Sequence, residues 1–394
     1  MKNRKQLLSG ISLLMAILLM GAGAFAVDRM SGSQPEAPVF EVDPFWPMPL
    51  PNHWLLGSAV GVGVDSRDHV FVIHRQGSFN ERTEIGAAAV PPTGECCLPA
   101  PNILEFDPEG NLVNAWGGES DDYDWPTSNH GLTVDPNDNI WIGGNGRTDS
   151  HILKFTRDGR FLMQIGLPNQ EANSNTTAHF GRVAKISFDA SGNEAYVADG
   201  YGNKRVVVLD ANTGEFLRYW GAYGNEPDDT DLGRYNPDDP PAQQFRNPVH
   251  CAEPSNDGLL YVCDRPNDRI QVFQTDGTFV TEKFIAPATL GDGSTWDIAF
   301  SRDPEQRFMY VADGKNMKIY VLDRRSLEIL TTFGDGGRQP GQFFAVHSIA
   351  TDSRGNIFTT ETYEGKRVQR FVYRGLGPVT AMNQGAPWPR RDSN

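Results

Sequence analysis

A unit of four short strands recurs six times along this chain of 394 residues, and no other feature restricts its fold as much. Each unit reads as a short apolar strand, a polar turn, a second strand rich in Val, Tyr and Ile, a loop, and two further strands. Three of the six units end at Trp-Gly or Phe-Gly. The first begins at Val60-Gly61-Val62-Gly63-Val64-Asp65 and ends at Ala115-Trp116-Gly117. The second begins at His130-Gly131-Leu132-Thr133-Val134-Asp135 and ends at Gln164-Ile165-Gly166. The third, fourth and fifth run over 184–221, 250–285 and 296–334, and the sixth starts at His347 and stops after Phe371-Val372-Tyr373. Short alternating strands joined by Asp-Gly and Asn-Gly turns specify antiparallel sheet. Four strands per unit arranged around a ring make an all-β, six-bladed propeller. The sixth unit lacks its fourth strand, and the segment Val39 to Phe45 can supply it, closing the ring and hiding its free edges. The expected layout is an export signal over 1–26, a segment carrying the closing strand over 27–54, the propeller over 55–374, and an extended Pro- and Arg-rich tail over 375–394.

Aligning the units on the polar residue that ends the first strand exposes a pattern in the histidines. Five residues before Asp135, Ser255 and Asp352 stand His130, His250 and His347. The same slot in units 1, 3 and 5 holds Val60, Ala184 and Trp296. First strands line the central channel of a propeller, and alternate blades stand about 120° apart. Three of the eight histidines therefore converge on the axis as a trigonal ring. Three neutral imidazoles meeting at one point suit Zn²⁺ with a fourth position left for water or substrate. Zinc is the expected ion, with iron, copper and manganese left open. His53, His69, His151 and His179 fall in expected loops or turns and read as surface or hydrogen-bonded polar residues.

The N-terminus has the form of a secretory signal. Lys2, Arg4 and Lys5 precede an apolar run from Leu7, which closes on Ala24-Phe25-Ala26 before Val27. The run is nearly long enough to span a bilayer, so retention as an anchor is the alternative to cleavage. Net charge is −15 with the acidic residues scattered, which speaks against a nucleic-acid partner. Such a surface fits a soluble exported monomer acting on a small molecule or peptide. An oxidising destination permits disulfides among the four cysteines. Cys251 and Cys263 flank the turn Ser255-Asn256-Asp257-Gly258 and fall nearly opposite each other on paired strands. For the adjacent Cys96 and Cys97 the sequence leaves a vicinal disulfide and free thiols equally open. Two long insertions, 76–102 and 222–247, are expected over the metal face as a lid or specificity wall.

The phrases Tyr196-Val197-Ala198-Asp199-Gly200-Tyr201-Gly202-Asn203-Lys204-Arg205-Val206 and Tyr261-Val262-Cys263-Asp264-Arg265-Pro266-Asn267-Asp268-Arg269-Ile270 resemble NHL repeats. Over roughly residues 55 to 373 the chain also resembles the peptidyl-α-hydroxyglycine α-amidating lyases, a family of six-bladed propellers with zinc on three histidines. Ile73-His74-Arg75 resembles the segment holding that family's catalytic arginine, and Asp199-Gly200-Tyr201 the motif holding its catalytic tyrosine. His130-Gly131-Leu132, Pro248-Val249-His250 and Val346-His347-Ser348 resemble its three metal segments. The resemblance implies catalytic roles for Arg75 and Tyr201. It further implies a reaction in which an N-acyl carbinolamine loses its hydroxyl proton to Tyr201 and splits into an amide and a carbonyl compound such as glyoxylate. Arg75 would support the charge on Tyr201 or hold the substrate carboxylate.

Three departures bear on that implication. The family's Asp after the third metal histidine, which helps hold a structural Ca²⁺, is Ser348 here, so calcium is doubtful. Gly202 replaces a cysteine beside the tyrosine, which removes a family disulfide. No segment resembles the copper monooxygenase that makes hydroxyglycine, which leaves room for another carbinolamine as substrate. Two other classes compete with the lyase reading. One is a metal-dependent hydrolase or lactonase, against which stands the lack of acidic residues in the histidine slot. The other is a non-catalytic NHL propeller that binds a partner.

Overall fold

A computed structural model describes residues 34–89, 91 and 93–389, and within them the chain is a six-bladed β-propeller. The signal expected over 1–26 lies outside the described residues. Blades 1 to 5 are four-stranded antiparallel sheets whose strands follow in chain order from the central channel outward. Their first strands are Ser58–Val64, Asn129–Val134, Lys185–Phe188, Val249–Pro254 and Asp297–Phe300. Blade 6 takes Val346–Thr351, Ile357–Glu361 and Arg367–Pro378 from the C-terminal end and Glu36–Asp43 from the N-terminal end. Phe40 stands opposite Tyr373 and Val42 opposite Phe371, so the two ends of the chain are zipped together. The last strand runs on to Pro378, past the expected start of the tail at 375. The following residues stay docked: Val42 N–H donates to Pro387 O and Trp388 Nε1–H to Pro340 O.

The hairpin turn between the first and second strand shows why the repeat is written as it is. In blades 1, 2 and 6 the carboxylates of Asp65, Asp135 and Asp352 accept backbone N–H groups two and four residues ahead. The fourth turn residue must enter the left-handed region, and it is Asp68, Asp138 or Gly355. Adjacent turns are clipped to each other, Ser353 Oγ donating to Asp68 and Ser66 Oγ to Asp138.

Alternation along the strands puts apolar side chains into the seams between blades, and each of the six seams holds its own buried cluster. The seam between blades 6 and 1, where the ring closes, is filled by Phe358, Val368, Val62, Val72 and Trp46. Each fully buried large side chain of this kind contributes about 1.5–3 kcal/mol. A ring sealed at every seam is rigid, and that rigidity fixes the positions of the first strands around the axis.

Both cysteine pairs are disulfide-bonded. Cys251 and Cys263 are register partners on the first two strands of blade 4. The bridge closes a short loop immediately after His250. Replacing both cysteines by Ala is expected to lower stability by up to about 3 kcal/mol, measured by urea denaturation under non-reducing conditions. An unchanged midpoint would mean that the strand pairing already supplies the whole constraint.

Candidate metal centre

The three slot histidines come together. Their ring centroids are 5.2, 4.7 and 5.0 Å apart, nearly an equilateral triangle. One ring nitrogen of each lies within 4.8 Å of the others, and all three side chains are buried. Local backbone helps to aim them. Pairing in blades 4 and 6 passes from Val249 to Cys251 and from Val346 to Ser348, so His250 and His347 are the extra residues of β-bulges. In blade 2 the bulge takes Gly131, one residue after His130. A bulge turns a side chain out of the regular alternation, here toward the axis. Gly131 is obligatory because a Cβ there would meet Ala184 O at 2.1 Å.

The same Ala184 carbonyl accepts from His130 Nδ1 at 2.7 Å, and Trp296 O accepts from His250 Nδ1. Ala184 and Trp296 are the slot residues of the following odd blades. These bonds put the proton on Nδ1 and leave the Nε2 lone pairs free to act as ligands. His347 Nδ1 has no partner among the described residues. Burial, seconded by Arg75 for His130, by Arg265 for His250 and by the other two histidines for His347, pushes all three imidazoles well below the usual histidine range. Three buried, neutral, converging imidazoles fit a zinc ion.

Tyr201 reaches the same point from blade 3. Its hydroxyl lies 3.0 Å from His130 Nε2 and 3.1 Å from His250 Nε2. Arg265 Nη1 donates to that hydroxyl at 3.4 Å, and its guanidinium lies 4.5 Å over the Trp296 ring. Arg75 is held by Asn129 O, beside His130, at 3.0 Å and by Asn145 Oδ1 at 2.9 Å. Burial lowers its pKa, and Tyr201, Tyr363 and Asp149 are the charges that counter this. Arg265 is a residue of this site that the sequence analysis quoted only as part of an NHL-like phrase. A signal existed. His74 and Asp264 both pair with the residue just before the slot, so Arg75 and Arg265 hold one place in the opposed blades 1 and 4.

Calcium does not fit beside Ser348. Ser348 Oγ donates to Asp297 Oδ2 at 2.7 Å, and Asp297 Oδ1 takes the Lys185 ammonium at 2.7 Å. Glu253 meets the same ammonium at 2.6 Å. Burial works against the charge on Lys185, but Asp297 and Glu253 outweigh it and hold its pKa above the usual lysine range. A built-in cation thus lies among the carboxylates under the histidines. Lys185→Met leaves the buried Asp297 and the half-buried Glu253 without their cation and is expected to cost about 3–5 kcal/mol by urea denaturation. EGTA is expected to leave the melting temperature of the unaltered protein where it is. A fall with EGTA that calcium restores would reverse this reading.

Two further histidines are buried in hydrogen bonds away from the axis. His74, fully buried, accepts from Gly57 N–H through Nδ1 and donates from Nε2 to Pro101 O at 2.9 Å. His151, expected on a loop, opens the strand His151–Phe155 and is buried against Asp124 O. Asp65, His69 and Glu105 also cluster, but Arg157 already bridges the two carboxylates.

No family model matches the chain. Peptidyl-alpha-hydroxyglycine alpha-amidating lyase 1 of Drosophila melanogaster is 24% identical over 373 residues, covering 88% of this chain. NHL repeat-containing protein 3 of Mus musculus is 23% identical over 304 residues, 75% of this chain and 70% of that protein. Peptidyl-glycine alpha-amidating monooxygenase of Mus musculus is 24% identical over 325 residues, 79% of this chain. Amidating lyases and NHL repeat proteins are its distant relatives. The chain spans 62% of the Drosophila protein and 30% of the mouse monooxygenase. A streptogramin B lyase structure superposes with a TM-score of 0.50 at 12% identity, covering 85% of this chain and 98% of that one. That likeness carries the propeller fold and no chemistry.

The base of the 76–102 insertion is pinned where Trp54–Leu55 pairs in parallel with Leu98–Pro99. Its middle is held to blade 6 by Glu84 and Lys366 at 2.8 Å.

Proposed function

We propose that this protein is an exported, zinc-dependent lyase that cleaves the C–N bond of an N-acyl carbinolamine of the α-hydroxyglycine type. The observation that carries the reading is the Tyr201 hydroxyl, set between two histidine Nε2 atoms and the Arg265 guanidinium. His130, His250 and His347 would hold the metal. Bound zinc supplies a Lewis acid that makes a neighbouring hydroxyl easier to deprotonate. Tyr201 Oη takes the proton of the substrate hydroxyl as general base. Arg265 Nη1–H is directed at the oxygen that carries negative charge when Tyr201 serves as that base. The O–H electrons form the carbonyl, the C–N electrons pass to nitrogen, and the proton held by Tyr201 returns to that nitrogen. One O–H and one C–N bond break, a C=O π bond and an N–H bond form, and no water is consumed. Arg75 holds the substrate carboxylate that leaves as glyoxylate.

Export is supported by the signal-like residues 1–26 and by disulfides that suit an oxidising compartment. The test is glyoxylate release from a benzoyl- or peptidyl-α-hydroxyglycine by the zinc-loaded protein. Release above the uncatalysed rate is expected. A zinc-loaded protein that leaves this substrate intact and opens lactones would move the assignment to the hydrolases.

A further inference from the structure

A pocket of about 620 Å³ opens beside the histidine triad, between the 222–247 insertion and blade 4. Arg265 belongs to both places: it lines this pocket and donates to Tyr201 Oη. Asn247, three residues ahead of His250, lines it as well.

Four cations face the pocket, Lys204, Arg234, Arg246 and Arg265, against two carboxylates, Asp231 and Asp292. Among the described residues none of the four cations makes an ion pair. The contrast with the rest of the chain is sharp. Arg205 is paired with Asp199, Arg269 with Asp264, Arg324 with Asp257 and Lys185 with Asp297. With a net charge of −15 the chain has carboxylates to spare. Lys204 and Arg246 do fasten the insertion, but through the neutral acceptors Thr230 O, Leu232 O, Gly233 O and Asn267 Oδ1. Those bonds place the cations without neutralising them. Arg234 is exposed, and its side chain has no hydrogen-bond partner among the described residues. Arg265 is only 6% exposed, and its Nε is likewise unpartnered. Four like charges around one cavity repel one another, and an incoming anion relieves that repulsion.

We propose that this pocket is the acyl-side subsite of the enzyme and that it selects substrates whose acyl group bears a carboxylate. The proposal rests on the lyase reading and extends it. Arg75, on the blade opposite Arg265, holds the carboxylate of the departing carbonyl product. The other arm of the substrate, the one that leaves as the amide, then runs out past Arg265 into the pocket. Arg265 supports Tyr201, and Lys204, Arg234 and Arg246 receive the anionic group.

The test separates binding from turnover. Acetyl-Asp-Asp-amide and its neutral twin acetyl-Asn-Asn-amide stand in for the product amide, and each is titrated calorimetrically into zinc-loaded protein. The acidic amide is expected to bind at least about tenfold more tightly, and to lose that advantage in high salt. Arg234→Glu is expected to abolish the preference and to leave affinity for the neutral amide unchanged. Because Arg234 is exposed and its side chain is bonded to nothing among the described residues, the variant is expected to keep the fold and the zinc content of the parent, read by far-UV circular dichroism and elemental mass spectrometry. The matching α-hydroxyglycine peptides are then compared by KM, the acidic one having the lower value. Equal affinity for the two amides overturns the proposal, whether or not glyoxylate is released. Preferential, salt-sensitive binding of the acidic amide without any glyoxylate release keeps the anion site and removes the lyase reading.

Discussion

Purified protein supplied with zinc is expected to hold one ion per chain, and His130→Ala, His250→Ala and His347→Ala are each expected to lose it. Elemental mass spectrometry after exhaustive dialysis reads both. The size of the effect follows from the geometry. Each imidazole would supply one of the three ligands that the described residues bring together, and they come from three separate blades. Removing one leaves two donors on a rigid ring, with no carboxylate in the slot to replace it. Loss of an outer partner of a metal histidine already costs 10–100-fold in affinity as a rule, and loss of a ligand costs more. Occupancy in the variants should fall to about a tenth or less under conditions that saturate the parent. Folding is a separate readout. The six seam clusters do not depend on the axis, so far-UV circular dichroism and the cooperativity of unfolding should survive the substitutions. Mutating His74, buried but turned to Gly57 and Pro101, should destabilise the protein without emptying the site. A parent protein that binds no metal at any zinc concentration would sink the enzyme reading and leave a propeller that binds a partner.

Much of this arrangement was legible in the sequence because a propeller repeats its own grammar. The Asp or Ser that closes each hairpin marks the end of the first strand, and counting back five residues from Asp135, Ser255 and Asp352 places His130, His250 and His347 in one slot. Closure through the N-terminal strand follows from a missing fourth strand and a spare apolar segment at the other end. The chain's local backbone was not legible. Bulges at His250 and His347 arise because the slot must face the axis while the flanking residues stay in the ladder, and no residue type announces them. Arg265 was hidden for a different reason. It sits inside a phrase whose Asp264 and Arg269 are structural and ion-paired, and its role depends on Trp296 and Tyr201 from other blades. Lys185 is a third case. An ammonium taking the place of a divalent cation needs Asp297 and Glu253 to meet it across the channel, from blades 5 and 4, and such a meeting leaves no local pattern.

Tyr201→Phe is expected to lower kcat for glyoxylate release by about 10²–10⁴-fold while zinc content stays at the parent level. Only the oxygen is removed. Tyr201 packs its ring against the blade 3–blade 4 seam and edge-on to His130 at 5.0 Å, and phenylalanine keeps both contacts. His130 and His250 keep their Nδ1 partners, because Ala184 O and Trp296 O are backbone groups that the substitution does not touch. The variant therefore separates two roles that a His→Ala series leaves merged, holding the metal and moving the proton. A general base lost with the metal in place lowers kcat and leaves KM nearly unchanged, since the substitution leaves the proposed substrate contacts, Arg75 and the cationic pocket, untouched. Arg265→Gln supplies the companion measurement. It keeps a donor toward Tyr201 Oη and removes the charge, so the rate should fall, but less than in Tyr201→Phe. If Tyr201→Phe turns over at the parent rate with zinc bound, the proton goes elsewhere. Tyr363, on the rim of the site beside Trp296, is then the next phenol to replace.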